Sequence, residues 1–171
     1  KEMAFYPKRF DEAFLSMLDS FHETYPEVAL NFMLHFEHPD EILAKDEDGN
    51  YIQDRQGFYQ WIPDTGRAMR GLVSRGWVSV QNQTPIIKDI NDDVDALRLL
   101  QREFKRAGGE NHYFFCGRDI VAYKAFNIPI ETAWNTLNES QKLLSGIENH
   151  ARLSITHYKG NAIMGQESRT K

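Results

Sequence analysis

"VALNFMLHFEHPDEI", Val28–Ile42, opens with a stretch to Phe36 that only Asn31 and His35 interrupt, then turns polar at a proline. An apolar run of this length, closed by a turn signal, reads as a β-strand covered on both faces, as in a parallel sheet. The flanking sequence fits that reading. "RFDEAFLSMLDSFHETYP" ahead of it spaces Phe14, Leu15, Leu18 and Phe21 at helical intervals, with Asp11 placed as N-cap and Pro26 as the stop. After it comes "AKDEDGNYIQDRQGFYQ", an excursion loop or hairpin with an Asp-Gly-Asn turn at 48–50.

The alternation continues. "DTGRAMRGLVSRG" predicts a helix capped by Asp64 and stopped by Gly76, and "WVSVQNQ" a second strand. "NDDVDALRLLQREFKRAGG" has acids in its first turn, bases in its last and a Gly-Gly stop, with an apolar stripe of Val94, Leu97, Leu100 and Phe104. "HYFFCG" reads as a strand, Pro129 to about Ser145 as a helix, and "RLSITHY" as a last strand. Strands separated by helices need crossover connections. The expected fold class is therefore α/β, with alternating helices and mostly parallel strands: a small open sheet, or half of a TIM-like (β/α) barrel. Residues 1–160 form one domain, and 161–171 a polar, disordered tail.

Size and composition narrow the function. The 171 residues suffice for one core, and a net charge of -5 without a Lys/Arg stripe argues against nucleic acid. No apolar run approaches the ~20 residues of a membrane span, and the chain opens without a charged-then-apolar leader. One cysteine, Cys116, leaves no internal disulfide and no self-contained cysteine-ligated cluster, which suits a reducing, cytoplasmic setting.

Both candidate architectures place function at the C-terminal strand ends. That rule selects His35, Asn82 with Gln83, Cys116–Asp119 and His157. His35 and His38 stand three apart against a proline, which is not helical zinc spacing; a strand-end histidine and a turn residue are the plainer reading. Asn82 and Gln83 could hold an amino-acid or ribose group, or satisfy loop backbone while Asn91 and Asp92 cap the next helix. Arg118 could clamp a carboxylate or pair with Asp119. Lys159 is a weak Schiff-base candidate. No complete catalytic motif is present.

Taken in order, "FYPKRF", "LNFMLHFEHPDEI", "VSVQNQTPIIKDINDD", "HYFFCGRD" and "AFNIPIE" resemble five segments of the lysine 2,3-aminomutase-like radical S-adenosylmethionine proteins. The resemblance covers roughly Phe5 to Ile130 and rests most on H-F-x-H-P-x-E-I and on N-Q followed by I-N-D. It implies a partial (β/α) barrel whose N-terminal part, absent here, holds a [4Fe-4S] cluster that cleaves S-adenosylmethionine to a radical acting on an amino acid. By resemblance, Arg9, His35, Asn82 and Gln83 face S-adenosylmethionine, and Arg118 or Asp119 the substrate. The cluster's three-cysteine loop is missing. The insertion from about Ala44 to Gln60 has no counterpart, and "THYKGNAIMG" does not reproduce the pyridoxal phosphate lysine segment, which leaves that cofactor in doubt. The expected protein is the C-terminal fragment of an aminomutase-like isomerase, inactive alone. Its partners would be a small-molecule substrate, the missing half barrel and further copies of itself; it would bind no resident metal, nucleic acid or membrane. Two alternatives stand beside it. One is a self-sufficient α/β binding domain with both sheet edges protected; the other is a zinc hydrolase using His35, His38 and Asp119.

Overall fold

The apolar strands pair side by side in the order in which the chain makes them. The computed structural model describes residues 1–116, 121–157 and 160–164. Strands β1 (Leu30–Leu34), β2 (Val78–Ile86), β3 (Glu110–Cys116) and β4 (Arg152–His157) run parallel in the order β1-β2-β3-β4. Strand β5 (Gly160–Met164) then folds back antiparallel on β4. A tail was expected from 161; residues 161–164 instead pair with the edge of β4, whose backbone groups would otherwise stand unpaired. Residues 165–171 lie outside the described part.

Helices lead into and link the strands: α1 (Glu2–Phe5) and α2 (Glu12–Thr24) precede β1, while α3 (Pro63–Val73), α4 (Val94–Arg106) and α5 (Ile130–Lys142) cross between strands. Asp11 caps α2, accepting from Phe14 N at 2.9 Å, as its position predicts. Asp64 does not cap α3. Ile62 is the N-cap and Pro63 opens the helix, because a proline's fixed φ and missing N–H suit the first helical position. Asp64 pairs instead with Arg67 at 2.6 Å. The cap of α4 is Asp93, which accepts from Ala96 N, and not Asn91 or Asp92.

Strand β1 is covered on one face rather than two. Leu34, Phe36 and Val80 pack with Leu15, Leu18, Met69, Leu72, Leu100 and Phe104 from α2, α3 and α4. Ile86, Phe114 and Leu153 pack with Leu97, Ala133 and Leu137 from α4 and α5. Asn31 and Met33, on the opposite side of the pleat, are exposed. The physical reason is the strand order: crossovers of one hand between successive neighbours put every crossover helix on the same side. This is the winding of a barrel arc, left open.

The stretch from 43 to 61 is a double excursion. Asp46 and Asp54 each accept two backbone N–H bonds from the turn that follows, through Asp48 N and Asn50 N, and through Gln56 N and Phe58 N. Each turn closes on a glycine with positive φ, Gly49 at 85° and Gly57 at 83°. Two copies of Asp-x-x-Gly-x-Tyr, eight residues apart, therefore fold alike. Their tyrosines, Tyr51 and Tyr59, meet edge to face at 6.0 Å. Tyr51 donates to Asp40 at 2.5 Å and Lys45 joins it at 2.7 Å, which moors the excursion to the segment after β1.

Candidate functional site

On the open face, strand register aligns His35, Gln83, Tyr113 and Arg152 across β1–β4, with His35 one residue beyond the end of β1. The register of β3 shifts here: Asn111 faces Asn82 and Tyr113 faces Gln83, so His112 is an extra residue. This bulge turns Tyr113 and Phe115 toward the same face as Gln83. Gln83 Nε2 lies in close contact with His35 Nε2. An amide nitrogen only donates, so the ring nitrogen accepts and the imidazole is neutral, with its proton on Nδ1. Burial agrees, holding the His35 pKa below the usual imidazole value. Phe115 stands edge-on both to His35 and to Tyr113, each at 6.3 Å between ring centres.

Asn82 turns the other way, into the helix-facing side, where it is buried. It accepts from Phe36 N at 2.8 Å and donates to Phe36 O at 3.0 Å and to Thr84 Oγ1 at 2.9 Å. Its hydrogen-bonding capacity is spent on the chain beside His35. Thr84 donates to the same carbonyl at 2.8 Å. Asn91, fully buried, donates to Glu37 O at 2.7 Å and Pro85 O at 2.9 Å and accepts from Ile87 N. Glu41 accepts from Glu37 N at 2.7 Å. The stretch H-F-E-H-P-D-E-I singled out in the sequence thus hydrogen-bonds to both of the others, N-Q and I-N-D. Thr84, Tyr113 and Phe115 went unassigned in the sequence, and Asn91 was read there as a helix cap. A buried asparagine two places ahead of the true cap was the signal for Asn91, but burial is not visible in a polar loop.

His38 does not join His35. Its Nδ1 accepts from Asp40 N at 3.2 Å, capping the short turn Pro39–Glu41. Among the described residues no three metal-ligating side chains converge. Arg9 reaches neither His35 nor Gln83: it pairs with Glu2 at 3.0 Å and lies over the Tyr6 ring at 4.8 Å. It belongs to the N-terminal segment, which Lys1 ties to Glu37 at 2.8 Å and Glu41 at 2.6 Å, just past β1. Cys116 is buried in the helix-facing layer, and burial pushes its thiol pKa up, as for a structural cysteine. Arg118, Asp119, Lys159 and the His157 side chain lie outside the described residues.

What the arrangement can do is bind. It offers a neutral imidazole, one amide and two aromatic edges on a face that the helices leave open, a set suited to a planar, hydrogen-bonding ligand. Comparison with known proteins gives this a context. No protein-family model matches the chain. A protein of Aquifex aeolicus named "Putative L-lysine 2,3-aminomutase" is 28% identical over 131 residues, 77% of this chain and 30% of that relative. The chain thus spans less than a third of the curated relative it matches. The chain is thus similar over most of its length to a protein named as a lysine 2,3-aminomutase.

Proposed function

We propose that this chain is the C-terminal portion of a radical S-adenosylmethionine enzyme of the aminomutase-like group, and that its open sheet face forms part of the cofactor and substrate site. The observation that carries this is the His35–Gln83 pair, displayed beside Tyr113 and Phe115 on the open sheet face. S-adenosylmethionine, when reductively cleaved at a [4Fe-4S] cluster, supplies a 5'-deoxyadenosyl radical. His35 Nδ1–H and the Gln83 carbonyl would hold its nucleoside, the aromatic edges would exclude water, and Asn82 would fix Phe36 and hence the His35 backbone. Arg9 would approach from the N-terminal segment, and Arg118 or Asp119 would meet an amino-acid substrate.

The cluster does not fit this chain. One buried cysteine cannot supply the thiolates of a [4Fe-4S] centre. The partner is then the other part of the barrel, and the 171-residue chain alone is inactive. The reading as a self-sufficient binding domain requires two protected sheet edges. Strand β5 covers β4, but β1 has no strand on its outer side among the described residues.

The test uses the native protein, captured from its source with an antibody to this chain and kept free of oxygen. The expected product is well above the mass of this chain and carries about four irons per molecule. A product of this chain's mass without iron overturns the proposal.

A further inference from the structure

The bulge at His112 does more than turn Tyr113 toward Gln83. Consecutive strand residues ordinarily point to opposite faces. Here His112 and Tyr113 line the same depression, of about 370 Å³, on the open face. That volume lies within the ~300–1,000 Å³ of small-molecule sites, and bulges that re-aim side chains recur beside functional sites. Arg152 lines the depression from β4, opposite Tyr113 in the strand register. The lining is rich in donors and short of acceptors. Arg152 makes no ion pair or hydrogen bond among the described residues, whereas Arg9, Arg67, Arg75, Arg98, Arg102 and Arg106 each pair with an acid. The His112 and Tyr113 rings stand 4.5 Å apart, but among the described residues neither the ring nitrogens nor the hydroxyl has a hydrogen-bond partner. Gln81 accepts from Asn31 through Oε1, which leaves its amide N–H groups to the depression. Glu110, the carboxylate in the lining, is held by Lys105.

We propose that this depression holds the carboxylate of the amino-acid substrate, an assignment that rests on the open face being part of the substrate site. What the lining leaves uncompensated is one positive charge among neutral donors, which balances a monoanion. The Arg152 guanidinium takes the carboxylate through two parallel hydrogen bonds, and the Tyr113 O–H is a further donor. Along the row, three strand spacings of ~4.8 Å separate Arg152 from His35. A carboxylate at one end and a nucleoside at the other therefore draw on different groups.

Nuclear magnetic resonance of the arginine Nε–H groups in the 171-residue chain tests this. L-Alanine, whose only anionic group is its carboxylate, is expected to shift the Arg152 resonance to saturation. L-Alaninamide should bind about tenfold weaker or worse. Arg55, exposed and without an acidic partner among the described residues, should keep its resonance throughout. Arg152→Gln, a surface change whose fold is checked by circular dichroism, should abolish the shifts that L-alanine causes in the His112 and Tyr113 rings. Adenosine, titrated separately and read at the His35 ring, keeps the two claims apart. A silent His35 beside a responding Arg152 sinks the cofactor reading and leaves the carboxylate site standing; a responding His35 beside a silent Arg152 does the reverse. Equal binding of L-alaninamide or of inorganic phosphate, an Arg55 resonance that moves with Arg152, or ring shifts that survive Arg152→Gln each overturns the proposal.

Discussion

His35 is the residue on which the open face turns, and its state is set by neighbours far away in sequence. Its pKa is lowered first by burial, so the unfolded chain takes up the proton more readily than the folded one. With an unfolded imidazole near pH 6.5, this contribution to stability is fully present above that value. It is lost as pH falls through about 6.5 toward the depressed native pKa. Urea titrations at pH 5 and pH 7.5 should therefore differ less for His35→Gln than for the parent chain. An unchanged pH dependence would mean that the ring is solvated. The sequence identified His35 and Gln83 through their place at strand ends, and the structure joins them. Asn82 could not be assigned to a face from its neighbours alone, since each strand residue alternates sides and the side that is covered depends on where the helices fall. Two of its partners are backbone groups of Phe36, 46 positions away in sequence.

At the scale of elements, periodicity made the strands and long helices legible, because an apolar stripe shows in any window of the chain. Their ends were less so: Asp64 and Asn91 are good cap residues that the backbone does not use as caps. The excursion was legible only as a turn. Its twofold repetition is carried by two aspartates, two glycines and two tyrosines, too few to stand out against unlike intervening residues. Nothing lies within 4 Å of a Cβ built on Gly49 or Gly57, so alanine there meets only the left-handed backbone. Each Gly→Ala change is expected to cost about 1–2 kcal/mol, measured by chemical denaturation. Gly109→Ala should cost more, because its methyl would overlap the Phe104 ring. A ranking with Gly109 below the two turns would show that the ring can swing aside.

For the whole molecule, no strand among the described residues covers the outer edge of β1, and Met33 on the open face is exposed. Such edges template further pairing. The chain is expected to self-associate with rising concentration in sedimentation experiments, and Met33→Lys should shift it toward monomer. Identical profiles for the two would place any contact elsewhere. Neighbour order in the sheet, which equals chain order, has a consequence for how the chain is made. Each of β2, β3 and β4 emerges from the ribosome with a partner already synthesised one crossover earlier, so assembly can keep pace with translation. Among the described residues, only the turn back into β5 breaks the parallel rhythm. A pause in synthesis at any crossover would leave a shorter sheet with its neighbours correctly paired, rather than a tangle awaiting a distant strand.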